Sequence, residues 1–214
     1  MHKVDRLAQP ESLKKNAKKW TVDLLAEVPN HSTFNDIPRK FVDKYRQEDV
    51  KQTLHEMFEG QCCFCESPIG VQVFERIEHL IPKSKFPQLC FEGCNLNYSC
   101  EVCNSKKYKG DKWDDENPIL DPTFDEIKNY LEIDIDTAKI LSINNDLRAK
   151  TTIEHTGLNR EGLIERRGDI VNKLKELLRI AVKAGAVEDF KDIIKSMSKS
   201  WGYPFLMNTF ADKL

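Results

Sequence analysis

The chain has 214 residues, a formal net charge of −2, 32% charged residues and seven cysteines. Its pI near 6.2 excludes a uniformly basic nucleic-acid coat. A mean hydropathy of −0.55 points to a soluble protein, and no apolar run approaches the ~20 residues of a membrane span.

In chain order, Leu13, Ala17, Trp20, Leu24 and Val28 recur at helical steps after Pro10, predicting an amphipathic helix that Pro29 and Asn30 end. A second pattern through Phe41, Val42, Tyr45, Val50, Leu54, Met57 and Phe58 predicts helix up to Gly60. From Gln61 to Gly110 the texture changes, and all seven cysteines lie there. Val71, Val73, Glu75 and Ile77 share one side of an expected strand, with Phe74 on the other. Asn-Pro and Asp-Pro turns follow, then a hairpin in which Asp136 and Thr137 turn 131–135 back into 140–143. Leu163, Ile170, Val171, Leu174 and Leu177 predict a long helix from Asn159, read as its N-cap, to Gly185. Phe190, Ile193, Ile194 and Met197 predict a shorter successor.

The N-terminus, Met-His-Lys-Val-Asp-Arg, has no apolar signal region, so a cytoplasmic, reducing location is expected. There cysteines bind metal or stay unpaired. Cys62 and Cys65 form one C-x2-C pair, Cys100 and Cys103 another, and together they can complete a tetrahedral zinc shell. The 34 residues between the pairs exceed a compact zinc ribbon, so an insertion lies between the knuckles. Cys63, Cys90 and Cys94 are left over, and Cys90 or Cys94 can replace an assigned ligand. Buried reduced thiols are the alternative to zinc.

The insertion carries Glu78-His79, then Asn95-Leu96, and the second knuckle runs on as Asn104-Ser105-Lys106-Lys107. Phosphodiester hydrolysis needs an activated water and stabilised charge on the phosphoryl and leaving oxygens. A neutral His79 can accept the water's proton. Glu78 and Asn104 offer the oxygen ligands that magnesium or manganese takes. Adjacent strand residues face opposite ways, so Glu78 and His79 can share a site only where the strand ends or bulges. Lys83 and Lys106 are candidate contacts to a nucleic-acid backbone. Residues 81–112 hold six lysines against three acidic residues, while residues 113–136 hold nine acidic residues and one lysine. A basic site is thus bordered by an acidic segment, and a partner that contributes surface is expected.

The order of these residues over 60–108 resembles the HNH endonucleases of the ββα-metal type, with Asn104 at the third motif position. Phe64-Cys65-Glu66, Ile77 to Ser84, Ser99-Cys100 and Gly157-Leu158-Asn159 with Arg166 are similar to the HNH subunit, PtuB, of Septu and retron-associated Septu-like antiphage systems. Cys94 departs from that pattern, which more usually has a bulkier residue before Asn95. The resemblance implies an α+β fold: a central zinc-stabilised ββα-metal module over 61–112, flanked by helices in 1–60 and by a hairpin and helices in 113–214. It implies His79 as general base, Asn95 pinning the loop between the strands, and Asn104 on the metal. It also implies Lys107 on a phosphate, one helical turn from Asn104. DNA is the implied substrate, with RNA also open. A PtuA-like ABC-type ATPase is the implied partner, joined in retron-associated systems by a reverse transcriptase and its nucleic acid. The chain has no G-x4-G-K-[ST] loop of its own. A zinc-stabilised binding subunit without catalysis is the competing reading.

Overall fold

Helix α1 (Glu11–Glu27) forms where Leu13, Ala17 and Leu24 share a face, and that face is buried. Pro10 begins it without a side-chain cap. The Asp49 carboxylate instead accepts from the Ser12 amide and hydroxyl at 2.8 and 2.7 Å, satisfying an otherwise orphaned first-turn donor. In this computed structural model, residues 1–70 and 73–214 are described, without the side chain of Lys199. They form two compact units. One comprises Val4–Cys63 and Ile69–Asp115, the other Met1–Lys3, Phe64–Pro68 and Glu116–Leu214.

In the first of these units, the second expected helix is broken into α2 (Arg39–Val42) and α3 (Glu48–Met57) by a 3-10 turn over Asp43–Tyr45. The break turns Tyr45 inward to full burial, which a continuous helix would spend on its own stripe. Strand β1 (Glu75–His79) pairs antiparallel with β2 (Leu96–Cys100), placing Glu78 opposite Asn97 and His79 opposite Leu96. The strand begins later than the alternation suggests. Val71 lies outside the described residues, and Phe74, just before β1, is 71% exposed. Arg6 fastens the N-terminal segment to this hairpin, donating to the carbonyls of Gly93, Cys94 and Leu96 and to the Asn97 side chain.

The helix expected after the second cysteine pair is not formed. Residues 101–112 make successive turns, with Tyr108 N donating to Ser105 O and Lys112 N to Lys109 O, while Lys109 N reaches back to Cys103 O. Lys106, Lys107, Lys109 and Lys112 would crowd like charges at helical spacings, and Gly110 takes a φ of +42°. Asn104 and Lys107 therefore do not share a helix face.

In the other unit, β3 (Leu131–Ile133) and β4 (Ile140–Ser142) form the expected antiparallel hairpin. The Asp134 carboxylate orders its turn by accepting from the Asp136 amide and the Thr137 hydroxyl. Helix α4 (Leu147–Thr156) is capped by Asp146, which accepts from Ala149 N at 2.8 Å, and ends on left-handed Gly157. Asn159 does not cap helix α5 (Glu161–Ala184). Its amide brackets Ile140, accepting from the backbone N and donating to the backbone O, both at 2.8 Å. Helix α5 buries Leu163, Ile170, Val171 and Leu174, while Leu177 and Val182 remain exposed. Helices α6 (Val187–Trp201) and α7 (Pro204–Asp212) follow. Between them Gly202, at φ +75°, passes so close to Glu66 that a Cβ would lie 2.7 Å from its carbonyl oxygen. The fold is α+β, with small two-stranded sheets among helices.

Candidate active site and metal centre

Cys62, Cys65, Cys100 and Cys103 are all buried, and their sulfurs lie within 4.8 Å of one another. A tetrahedral zinc–thiolate shell, with Zn–S of about 2.3 Å, puts its sulfurs about 3.8 Å apart, so the donor set suits zinc in type, number and spacing. Polar groups surround the sulfurs. The Cys103 amide donates to Cys100 Sγ at 3.4 Å, and the Ser67 and Ser99 hydroxyls lie 3.3 and 3.7 Å from the sulfurs of Cys65 and Cys62. The remaining cysteines are not members of this group, although the Cys63 thiol is hydrogen-bonded with that of Cys62. Cys63 is buried and donates its backbone N–H to Tyr98 O. The Cys90 thiol faces the Val42 carbonyl. Cys94 is exposed.

The hairpin brings two acid–base groups to one place. Glu78 and His79 both line a cavity of about 230 Å³, together with Lys83, Asn104 and Lys106. Neighbouring strand residues can do so because β1 ends at His79 and the chain leaves the ladder towards Pro82.

His79 is 4% exposed. Its Nε2–H donates to the carbonyl oxygen of Cys90 at 2.9 Å, and the Tyr45 ring meets it edge-on at 4.6 Å. A carbonyl can only accept, so this contact places the proton on Nε2 and leaves Nδ1 as the accepting nitrogen. Lys83 Nζ lies 3.5 Å from Nδ1. Burial, and then the charge of Lys83, hold the imidazole well below its ordinary pKa, so it is neutral at pH 7.

Glu78 is equally buried, and its Oε1 pairs with Lys109 Nζ at 3.2 Å. Burial pushes its carboxyl up to about 7 against the pull of Lys109. Burial likewise lowers Lys109, opposed by the Glu78 charge. Asn95 pins the connection between the strands: its Oδ1 accepts from Ile81 N at 2.8 Å, and its Nδ2 donates to the carbonyls of Ile81 and Leu89 at 3.0 and 3.2 Å.

Lys107 is not among the residues around this cavity. It is exposed, with its ammonium 5.3 Å from the Tyr108 ring, because the helix that would have aligned it with Asn104 is absent. Sequence reasoning also missed several neighbours. Lys83 and Asn104 line an adjoining cavity with Arg46, Lys51 and Arg76, cations supplied partly by the N-terminal helices. Tyr45 and Lys109 touch His79 and Glu78 directly, and nothing distinguishes Lys109 in sequence from Lys106, Lys107 and Lys112. Oxygen donors of Glu78 and Asn104 on one cavity have the hard chemistry that magnesium or manganese takes.

No protein-family model matches the chain. It is similar to two proteins named Septu protein PtuB. One, from Bacillus mycoides (strain KBAB4), is 27% identical over 213 residues, covering 86% of this chain and 72% of the relative. The other, from Bacillus thuringiensis, is 32% identical over 112 residues, covering 52% of this chain and 41% of the relative. Among the described residues, no helix is long and apolar enough to cross a membrane.

Proposed function

We propose that the chain is a metal-dependent endonuclease of HNH type, hydrolysing nucleic-acid phosphodiester bonds, with DNA the first substrate to test. It would act as the effector subunit of a Septu antiphage complex under an ATPase partner of the PtuA kind. The observation that carries the reading is His79. A neutral imidazole, oriented by the Cys90 carbonyl, shares one cavity with Glu78, Asn104 and two lysines. The likeness to the two PtuB proteins supports the family context.

In this reading Nδ1 of His79 takes the proton of the attacking water, and the resulting imidazolium keeps its Nε2–H on the carbonyl of Cys90. Asn95 holds the 81–95 connection, and thereby Cys90, in place. Lys83 and Lys106 bind the phosphate backbone. Glu78 and Asn104 would hold magnesium or manganese, which when bound supplies charge stabilisation at the phosphoryl and leaving oxygens. Zinc on the four cysteines would be structural, tying the hairpin to the turns that carry Asn104.

The competing reading, a zinc-stabilised binding subunit without catalysis, draws on the Glu78–Lys109 pair, which satisfies the carboxylate without a metal. Co-purification from the native operon, followed by DNA and RNA cleavage assays with and without magnesium, separates the two. Magnesium-dependent cutting supports the nuclease. Binding without cutting in the complete complex supports the alternative.

A further inference from the structure

Lys109 has no exposed side-chain surface and takes no part in the proposed hydrolysis. Burying an ammonium costs several kcal/mol unless other groups compensate it closely. Three oxygens do so: Glu78 Oε1 at 3.2 Å and the backbone carbonyls of His79 and Gly110, each at 3.4 Å. The ammonium therefore sits in an oxygen nest at the end of β1, against the carboxylate assigned to the divalent metal.

We propose that Lys109 is the resident cation of this site, a positioning residue that acts through Glu78. It keeps the carboxylate ordered and charge-balanced when no metal is bound. It also weakens divalent binding by competing for that carboxylate. Two cations on one carboxylate repel each other, so the metal is held firmly only when further negative charge arrives. The phosphate of a nucleic acid supplies that charge. Metal and substrate binding are then positively coupled, and each raises the other's affinity by the same factor. The inference rests on the reading of Glu78 as a metal ligand.

The test is Mn2+ binding to the zinc-loaded full chain, followed by electron paramagnetic resonance without substrate. Lys109→Met should bind Mn2+ roughly tenfold or more tightly than wild type, and Glu78→Gln should abolish the site in both backgrounds. Equal or weaker binding by Lys109→Met, with Glu78→Gln still abolishing it, overturns the role of Lys109 and leaves the metal reading standing. Binding that ignores Glu78→Gln overturns both. If Lys109→Met does not fold, the wild type serves: its buried Lys109 ammonium can be followed by 15N NMR. A shift of that resonance on Mg2+ addition supports the competition, and an unmoved resonance at saturation refutes it.

Discussion

The Nε2 atom of His79 lies 2.9 Å from the carbonyl oxygen of Cys90, a residue eleven positions away, and this one contact sets the protonation pattern of the ring. Nitrogen-15 chemical shifts of His79 should report the Nε2–H tautomer at pH 7. An Nδ1–H tautomer, or an imidazolium at that pH, would contradict the assignment of Nδ1 as the accepting atom.

The cysteine cluster makes a sharper claim about composition than about catalysis. Purified protein should carry about one zinc per chain. Cys65→Ser and Cys100→Ser should lose it and lower the melting temperature by about 10 °C or more, because structural zinc binding is also folding free energy. Cys90→Ser and Cys94→Ser should retain the metal. Unchanged zinc content in the first pair would rule out the four-cysteine site.

Asn95 makes three hydrogen bonds within the connection between β1 and β2. Replacing it with alanine strands the Ile81 amide and two carbonyls, and should cost about 2–3 kcal/mol in chemical denaturation. A loss below about 0.5 kcal/mol would mean that the loop holds its shape without it.

Burial pushes the Cys90 thiol up to about 12, while Cys94 is exposed. Cys94 should alkylate within minutes at pH 8, and Cys90 only on unfolding. The sign of the stability effect follows. Between about pH 9 and 12 the unfolded chain loses this proton and the native chain keeps it, so stability falls as pH rises. Cys90→Ala should flatten part of that alkaline decline; an identical decline in the variant would show that Cys90 is not its source.

Periodic and paired features were legible in the sequence because they repeat. The stripe of α1, the 131–143 hairpin and the two cysteine pairs each follow a local spacing rule. Long-range choices were not. Lys109 turns inward because Glu78, thirty-one residues earlier, needs a cation, and the same inward turn belongs to the non-helical run over 101–112. Tyr45 breaks its helix to pack on His79, and Asn159 leaves the helix start to bracket Ile140. In each case a tertiary partner overrides the local pattern. Glu78, His79 and Asn104, which the motif groups, line one cavity. Lys107 lines a neighbouring cavity with Asn104 and Lys106, without the shared helix face that the motif implied.

The most direct test is the cleavage rate of His79→Ala beside wild type, in the complete complex with magnesium, at matched zinc content and melting temperature. Loss of at least about a hundredfold, with zinc and stability unchanged, is expected if His79 is the general base. Cleavage by His79→Ala at the wild-type rate would contradict His79 as the general base, and no cleavage by wild type itself would contradict the nuclease assignment.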